Sequence, residues 1–330
     1  MTDDLTQTVA TAFPAARFIK EIGRGKDGAR SMSSEDAASL YTAMLNGRVS
    51  DLELGAILLA MRIKGESIDE IAGFLHAARP FMLALEAPLS SNYVPVLIPT
   101  YNGARKKANL TPLLAILLAR RGVPVLVHGV SSDPGRVTTA EIFSALNFPV
   151  CSNASDISLE MSLSRPAFIP VELLAPALAR LLALRRILGV RNSTHTLVKL
   201  LQPFTTPALR LTSYTHPEYQ QMLQHYFSQR APHDAGDVFL MRGTEGETVA
   251  STGRAQQIDW IHEGEVTTLA HTQSVIVGEI ENISEQFDAA TTAAWIQCVL
   301  NDEIPVPVNI AAQVEHCVLV SRLIHQRLVR

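Results

Sequence analysis

The chain is expected to fold as an α/β protein in which a small all-helical unit, residues 1–87, precedes a larger α/β domain with a mainly parallel sheet, residues 88–330. Two observations carry this. Residues 1–85 show only helical periodicity, punctuated by capping residues and glycine stops, whereas from Val94 onward short apolar runs alternate with amphipathic stretches. Moreover, the runs VPVLI (94–98) and VPVLV (123–127) contain no alternating polar residues, which is how strands buried on both faces of a parallel sheet read.

Taken in order, an amphipathic helix is expected over 13–22. The GxGxxG spacing of Gly23, Gly25 and Gly28 that follows carries no dinucleotide reading, because that fingerprint needs a preceding strand. Ser33 and Asp36 open the next helix, and the pairs Ser50/Glu53 and Ser67/Glu70 are capping boxes for two more, with Gly47 and Gly65 as stops. Leu54, Ile57, Leu58 and Met61 share one helical face, as do Ile71, Phe74 and Leu75, and a spare apolar face on such a unit is expected to serve a homodimer. Beyond the first strand, Thr111 reads as an N-cap and Pro112 as the first turn of a helix running to 121, with Gly122 ending it before the strand at 123–127. Thr138 and Glu141 cap a helix to 146, and 149–152 and 167–170 read as short strands. The stretch 171–201 is helical and basic, and part of 172–201 is expected to join the helical unit in space. Strands at 209–212 and 237–241 flank a helix over 216–229; 249–279 alternates like further strands, and helices over 289–300 and 308–328 close the chain.

Composition is that of an ordinary globular protein, with 47% hydrophobic and 18% charged residues. No apolar stretch approaches the length of a membrane helix and the first residues lack a basic then apolar leader pattern, so no membrane partner and a cytoplasmic location are expected. Cys151, Cys298 and Cys317 lack metal or disulfide spacing. There is no GxSxG elbow, P-loop or HExxH. Charge is uneven: residues 101–210 hold thirteen Lys or Arg against five Asp or Glu, leaving fifteen basic and twenty-seven acidic residues elsewhere. A basic face on an acidic body fits a polyanion partner, and a phosphate-using cleft would show the same signature. The loop after the first strand holds Arg105, Lys106 and Lys107 at the carboxyl edge of the sheet, just ahead of a helix N-terminus, an arrangement suited to anions.

The segments RSMSSEDAASLYTAMLNGRVSDLELGAILLAMRIKGESIDEIAGFLHAAR, NLTPLLAILLARRGVPVLVHG, LALRRILGVRNSTHTLVKLLQPF and VNIAAQV resemble the anthranilate phosphoribosyltransferase fold (glycosyltransferase family 3), over nearly the whole chain. The resemblance implies a phosphoribosyl pyrophosphate site, of which Thr100, Asn102, Gly103, Asn109, Thr111, His128 and Gly129 are the vestige. The family's GTGGD loop, open to backbone N–H groups, is here Pro99, Thr100, Tyr101, Asn102, Gly103. Its KHGN is here Val127, His128, Gly129, Val130. Of its acidic pair for magnesium, Glu247 matches one carboxylate beside Thr248, with Glu245 as a possible substitute, so magnesium is expected only if an enzyme survives and otherwise no cofactor. An anthranilate-contacting Arg carries over to Arg185, but the histidines expected before that helix are absent from IPVELLAPAL. The loop PTYNGARKKANLTP is similar to that of a YbiB-type subgroup, which implies a homodimer binding single-stranded DNA or RNA with little sequence preference and no surviving transferase activity. Arg105, Lys106, Lys107, Arg185, Arg186, Arg191 and Lys199 are the candidate phosphate contacts, and Tyr101 either stacks on a base or is a packed loop residue. The alternative is a divergent phosphoribosyltransferase with an unknown acceptor.

Overall fold

The computed structural model describes residues 12–25, 27–273 and 288–330. The first part is α1 (Ala16–Ile22), α2 (Ser34–Leu45), α3 (Asp51–Lys64) and α4 (Ile68–Ala78). The start signals act as their chemistry dictates: Ser33 accepts the Asp36 N–H, and Ser50/Glu53 and Ser67/Glu70 form reciprocal capping boxes. Glu70 is fully buried, pairs with Lys64 at 2.7 Å and accepts the Met32 N–H at 3.0 Å, so one carboxylate caps α4 and ties it to α3 and to the segment ahead of α2.

The second part runs β1 (Val96–Thr100), α5 (Thr111–Arg120), β2 (Val125–Gly129), α6 (Thr139–Ala145), α7 (Ala154–Ser162), β3 (Ala167–Pro170), then the short helices α8 (Val171–Leu174), α9 (Pro176–Ala183), α10 (Arg185–Leu188) and α11 (Thr194–Leu197). It continues with β4 (Leu209–Tyr214), α12 (Pro217–Gln229), β5 (Val238–Arg242), β6 (Ile258–His262), β7 (Glu265–Ala270), α13 (Ala289–Leu300) and α14 (Val308–Leu328). The strands form one seven-stranded sheet in the order β3-β2-β1-β4-β5-β6-β7. β3, β2, β1, β4 and β5 are parallel; β6 and β7 are antiparallel. Alternate strand residues bury into two cores: Val96, Ile98, Val125 and Val127 meet α5, α6, α13 and α14, while Leu97, Leu126 and Leu240 face α12 and the helical unit. Strand order reverses at β1, since β2 and β3 extend to one side and β4 to the other. The crevice beyond the carboxyl ends of β1 and β4 is therefore the topological switch point, where open α/β sheets take ligands.

Several expectations are corrected by backbone chemistry. β1 and β2 begin two residues later than the apolar runs, because Pro95 and Pro124 have no N–H to give to a ladder, and they extend to Thr100 and Gly129. His128 and Gly129 are consequently strand residues. Thr111 is the first residue of α5 rather than its cap; its N–H donates to the Asn109 side chain at 3.2 Å. Residues 149–152 make a single bridge, Val150 to Phe168, instead of a strand, Pro149 lacking a donor. The stretch 171–201 is broken into α8–α11: Ala175, ahead of Pro176, leaves the helical region, and Gly189 ends α10 with φ 71°. α9 packs against α2 and α11 against α4, placing this basic stretch on the helical unit. Of the alternating stretch 249–279, β6 and β7 are strands, and residues 274–279 lie outside the described ones.

Candidate functional site

The loop leaving β1 turns because Gly103 takes φ 62°, a conformation that glycine adopts without strain, and a side chain there would meet the Val137 carbonyl. Such a loop ordinarily presents free backbone N–H groups to an anion. Here the chain supplies the anions itself. One oxygen of Glu247, a residue 1% exposed, accepts the N–H of Asn102 at 2.8 Å and of Gly103 at 2.7 Å. Glu245 accepts the N–H of Arg105 at 2.8 Å and of Lys106 at 2.6 Å. Glu245 holds this position with φ 53° and Gly246 with φ 93°, and the Gly246 carbonyl accepts from Asn102 Nδ2, Lys199 Nζ and Ser213 Oγ. The turn 244–247 is thus seated in the cradle of the 102–106 loop.

The remaining positions of the expected phosphoribosyl pyrophosphate site are structural neighbours of this seat. Thr100 Oγ1 lies 2.7 Å from Thr139 Oγ1, and Asn109 Nδ2 donates to the same Thr139 oxygen at 3.1 Å. Gly129 sits so close to β1 that a methyl group on it would fall 1.8 Å from the Thr100 carbonyl oxygen. His128 is buried, and burial holds its pKa down to about 3, so the ring is neutral across the physiological range. Its Nδ1 is hydrogen-bonded to the Tyr101 hydroxyl at 2.8 Å, with the two rings edge to face. Tyr101 is therefore pinned at its polar end while its ring lines a cleft.

The structure gathers most of the candidate cations around two clefts and divides them into inward and outward groups. A cleft of about 190 Å³ at the switch point is lined by Arg62, Asn102, Arg191, His195, Lys199 and Tyr214. A neighbouring one of about 450 Å³ is lined by Tyr101, Asp133, Glu172, Arg185, Arg186 and His195. Arg191 donates to Asn102 Oδ1 at 3.0 Å and Lys199 to the Gly246 carbonyl at 3.2 Å, so both brace the loop from within. Burial, and then the guanidinium groups of Arg185, Arg136 and Arg62, hold the Arg191 pKa below its ordinary value, which places four arginines in one electrostatic neighbourhood. Arg105, Lys106, Lys107, Arg185 and Arg186 are exposed. Arg180, from the same basic stretch, instead donates to the Met44 and Leu45 carbonyls at the end of α2.

Three contributors were not legible as site residues in the sequence. Arg62 lies in the last turn of α3; Arg136, in a DPGR turn, donates to the Gly103 carbonyl at 3.2 Å; His195 lies on the wall common to both clefts. Burial and the charges of Arg191 and Arg185 hold the His195 pKa down to about 4. The one local hint was the turn signal of Asp133, Pro134 and Gly135 before Arg136.

Magnesium does not suit this donor set. Both Glu245 oxygens and one of Glu247 are taken by backbone N–H groups, leaving a single buried Glu247 oxygen without a partner, and Lys199, Arg191 and Arg136 already crowd the place with positive charge. Among the described residues no group of three or more His, Cys, Asp or Glu is gathered as metal ligands.

Burial first, opposed by Glu247 and reinforced by Arg191 and Arg136, lowers the Lys199 pKa from 10.5 to about 8. Because the folded-state value is depressed, the fold is penalised by the protonated lysine below pH 8 and relieved of that penalty as pH rises toward 10.5. Denaturant titrations should show the wild type gaining stability relative to Lys199→Met between pH 8 and 10; a constant difference would mean that Lys199 is solvated.

Residues 16–82 match the model of the glycosyl transferase family helical bundle domain. Among solved structures, the fold is similar to anthranilate phosphoribosyltransferase of Thermus thermophilus, with a TM-score of 0.68 at 18% identity over 94% of this chain and 93% of that one. It is also similar to the Saccharomyces cerevisiae enzyme in complex with PRPP and Mg, with a TM-score of 0.71 at 14% identity, covering 94% and 88%. In sequence the chain is 24% identical to anthranilate phosphoribosyltransferase of Methylocella silvestris over 84% of its own length and 78% of that protein's. It is 42% identical to YbiB of Escherichia coli strain K12 over 92% of its own length and 93% of that protein's. With the helical-bundle match, the 42% identity over nearly the whole of both chains and the likeness of fold in agreement, the chain belongs to the YbiB-type group within the anthranilate phosphoribosyltransferase-like glycosyltransferase family 3.

Proposed function

We propose that this protein has lost phosphoribosyl transfer and binds the sugar-phosphate backbone of single-stranded nucleic acid, with little sequence preference, as a homodimer. The observation that carries the reading is the division of labour in the 101–107 loop: its backbone donors are consumed by Glu245 and Glu247, while its side-chain cations Arg105, Lys106 and Lys107 remain exposed. A diphosphate would have to displace two charge-assisted bonds from Glu247, on the order of 3–6 kcal/mol, which is at least about a hundredfold in affinity. A polymer need not enter the cradle, because phosphates spaced along a strand can meet cations spread over a surface. Arg185 and Arg186, which line the larger cleft where Arg105, Lys106 and Lys107 do not, add a second exposed pair of cations. Arg191 and Lys199 support it from beneath, and the Tyr101 ring is held edge to face against His128.

Fluorescence anisotropy with a labelled single-stranded oligonucleotide should show a salt slope set by about five phosphate contacts per chain, a slope near −3.5, or about a hundredfold loss of affinity between 50 and 200 mM salt. Replacing Arg105, Lys106 and Lys107 together by Ala should reduce the slope by about two to three contacts, at about 0.7 each. Affinity independent of salt would contradict the reading.

Self-association is assigned to α3. Its outward residues Leu52, Leu59 and Ile63 are 86%, 48% and 55% exposed and fall on one helical face, an apolar stripe that a second copy would cover. Sedimentation equilibrium should find a dimer that Leu59→Arg converts to monomer; an unaltered dimer in that variant would move the interface elsewhere.

A further inference from the structure

The other end of β4 holds a buried cation without a direct ion-pair partner among the described residues. Arg210, the second residue of β4, is 4% exposed. Its Nη2 donates to the Gly236 carbonyl at 3.1 Å, and its guanidinium carbon lies 5.4 Å from the centre of the Phe227 ring. Its Nε is buried with no hydrogen-bond partner. Asp237, the carboxylate beside it in the sheet, is saturated: it accepts from Trp260 Nε1 at 2.7 Å and from Arg327 at 2.6 Å, and His262 Nδ1 lies at 3.1 Å. Asp237 and then Asp234 act on Arg210 only through space. An arginine does not discharge by losing its proton, so an unpaired buried guanidinium edge is a costly feature for a fold to keep unless something binds to it.

The Arg210 side chain forms part of the wall of a cavity of about 280 Å³ bounded by α4, residues 200–205, β4 and α12. Leu75, Met82 and Phe204 give it an apolar lining, and the Tyr226 phenol, close enough to feel the Arg210 charge, shares its polar end. An apolar hollow with a few charged groups converging on it, here Arg210 buried and His76, Arg79 and Arg230 exposed, is the usual form of a small-ligand site. The hollow on the far side of Arg210 is bordered by Asp237 and Glu263 together with Arg327 and His262, which already pair with Asp237.

We propose that this cavity binds a small amphipathic monocarboxylate, its carboxylate on the Arg210 guanidinium and its apolar body against Leu75, Met82 and Phe204. A carboxylate matches the guanidinium fork in geometry and charge. Inside, the single buried cation balances a monocarboxylate rather than a dianionic phosphate; the other cations of the lining, Arg79 and His76, are exposed, and Arg230 is paired with Asp69 at 2.6 Å. The site is separate from the basic cleft: β4 carries Arg210 near its amino end and Tyr214, which lines the cleft, at its carboxyl end, about 13 Å away along the strand.

The test is ¹⁹F NMR titration of the full chain with 4-fluorophenylacetate, 4-fluorobenzyl alcohol and 4-fluorophenyl phosphate. Saturable binding of the acid is expected, with the alcohol and the phosphate at least about tenfold weaker, the worth of one charge-assisted contact. Leu75→Trp, which fills the cavity from its rim, should abolish it, Arg210→Lys should weaken it by about tenfold, and Arg186→Ala, in the larger basic cleft, should leave it unchanged. Absence of saturable binding to the wild type, equal binding of the alcohol or the phosphate, binding that survives Leu75→Trp, or loss in Arg186→Ala would each overturn the proposal. Because Leu75 is a partly buried rim residue, its variant decides the matter even if Arg210→Lys fails to fold.

Discussion

Four backbone N–H groups facing two of the chain's own carboxylates are the constraint on which the candidate site depends. A glycine turn at the switch point of a parallel sheet makes a positively polarised cradle whether or not a ligand exists to fill it. In this protein the 244–247 turn fills it, at the cost of left-handed backbone at Glu245 and Gly246. Once the carboxylates are seated, Lys199, Arg191 and Arg136 follow, because buried negative charge needs nearby positive charge and the Gly246 and Gly103 carbonyls need donors. The inward cations are thus explained by the seat, and the outward ones are left for something larger than the cradle.

This arrangement accounts for a chain that keeps the transferase fold while departing from its motifs. Sheet order and the close packing of Gly129 on Thr100 are demands of the architecture, and the helical bundle and the fold are shared with the proteins it resembles. Backbone access for a diphosphate is a demand of the chemistry, and it is gone. His128 illustrates the same separation: it stays at the end of β2, yet it is neutral, buried and committed to Tyr101.

Much of the fold was legible because it is written in local chemistry. Capping boxes at Ser50, Ser67 and Thr138 mark helix starts through contacts three residues apart, and doubly buried strands show as unbroken apolar runs. Where the reading slipped, a missing donor was the reason: Pro95 and Pro124 delay β1 and β2, and Pro149 with its neighbours makes only one bridge. The site was less legible because its decisive contacts are not local. Glu247 meets Asn102 across 145 positions, and Arg62, Arg136 and Arg191 converge from three separate elements. Charge counting along residues 101–210 found the basic region but could not divide it into inward braces and outward contacts, since that depends on which carbonyls the fold leaves bare.

Titration calorimetry of the wild-type chain with phosphoribosyl pyrophosphate and magnesium bears most directly on the filled cradle, with Glu245→Ala/Glu247→Ala as the comparison. The account predicts no binding to the wild type at micromolar concentrations and its appearance in the variant whose backbone donors are released. Micromolar binding by the wild type would show that the carboxylates yield to substrate, and would contradict it.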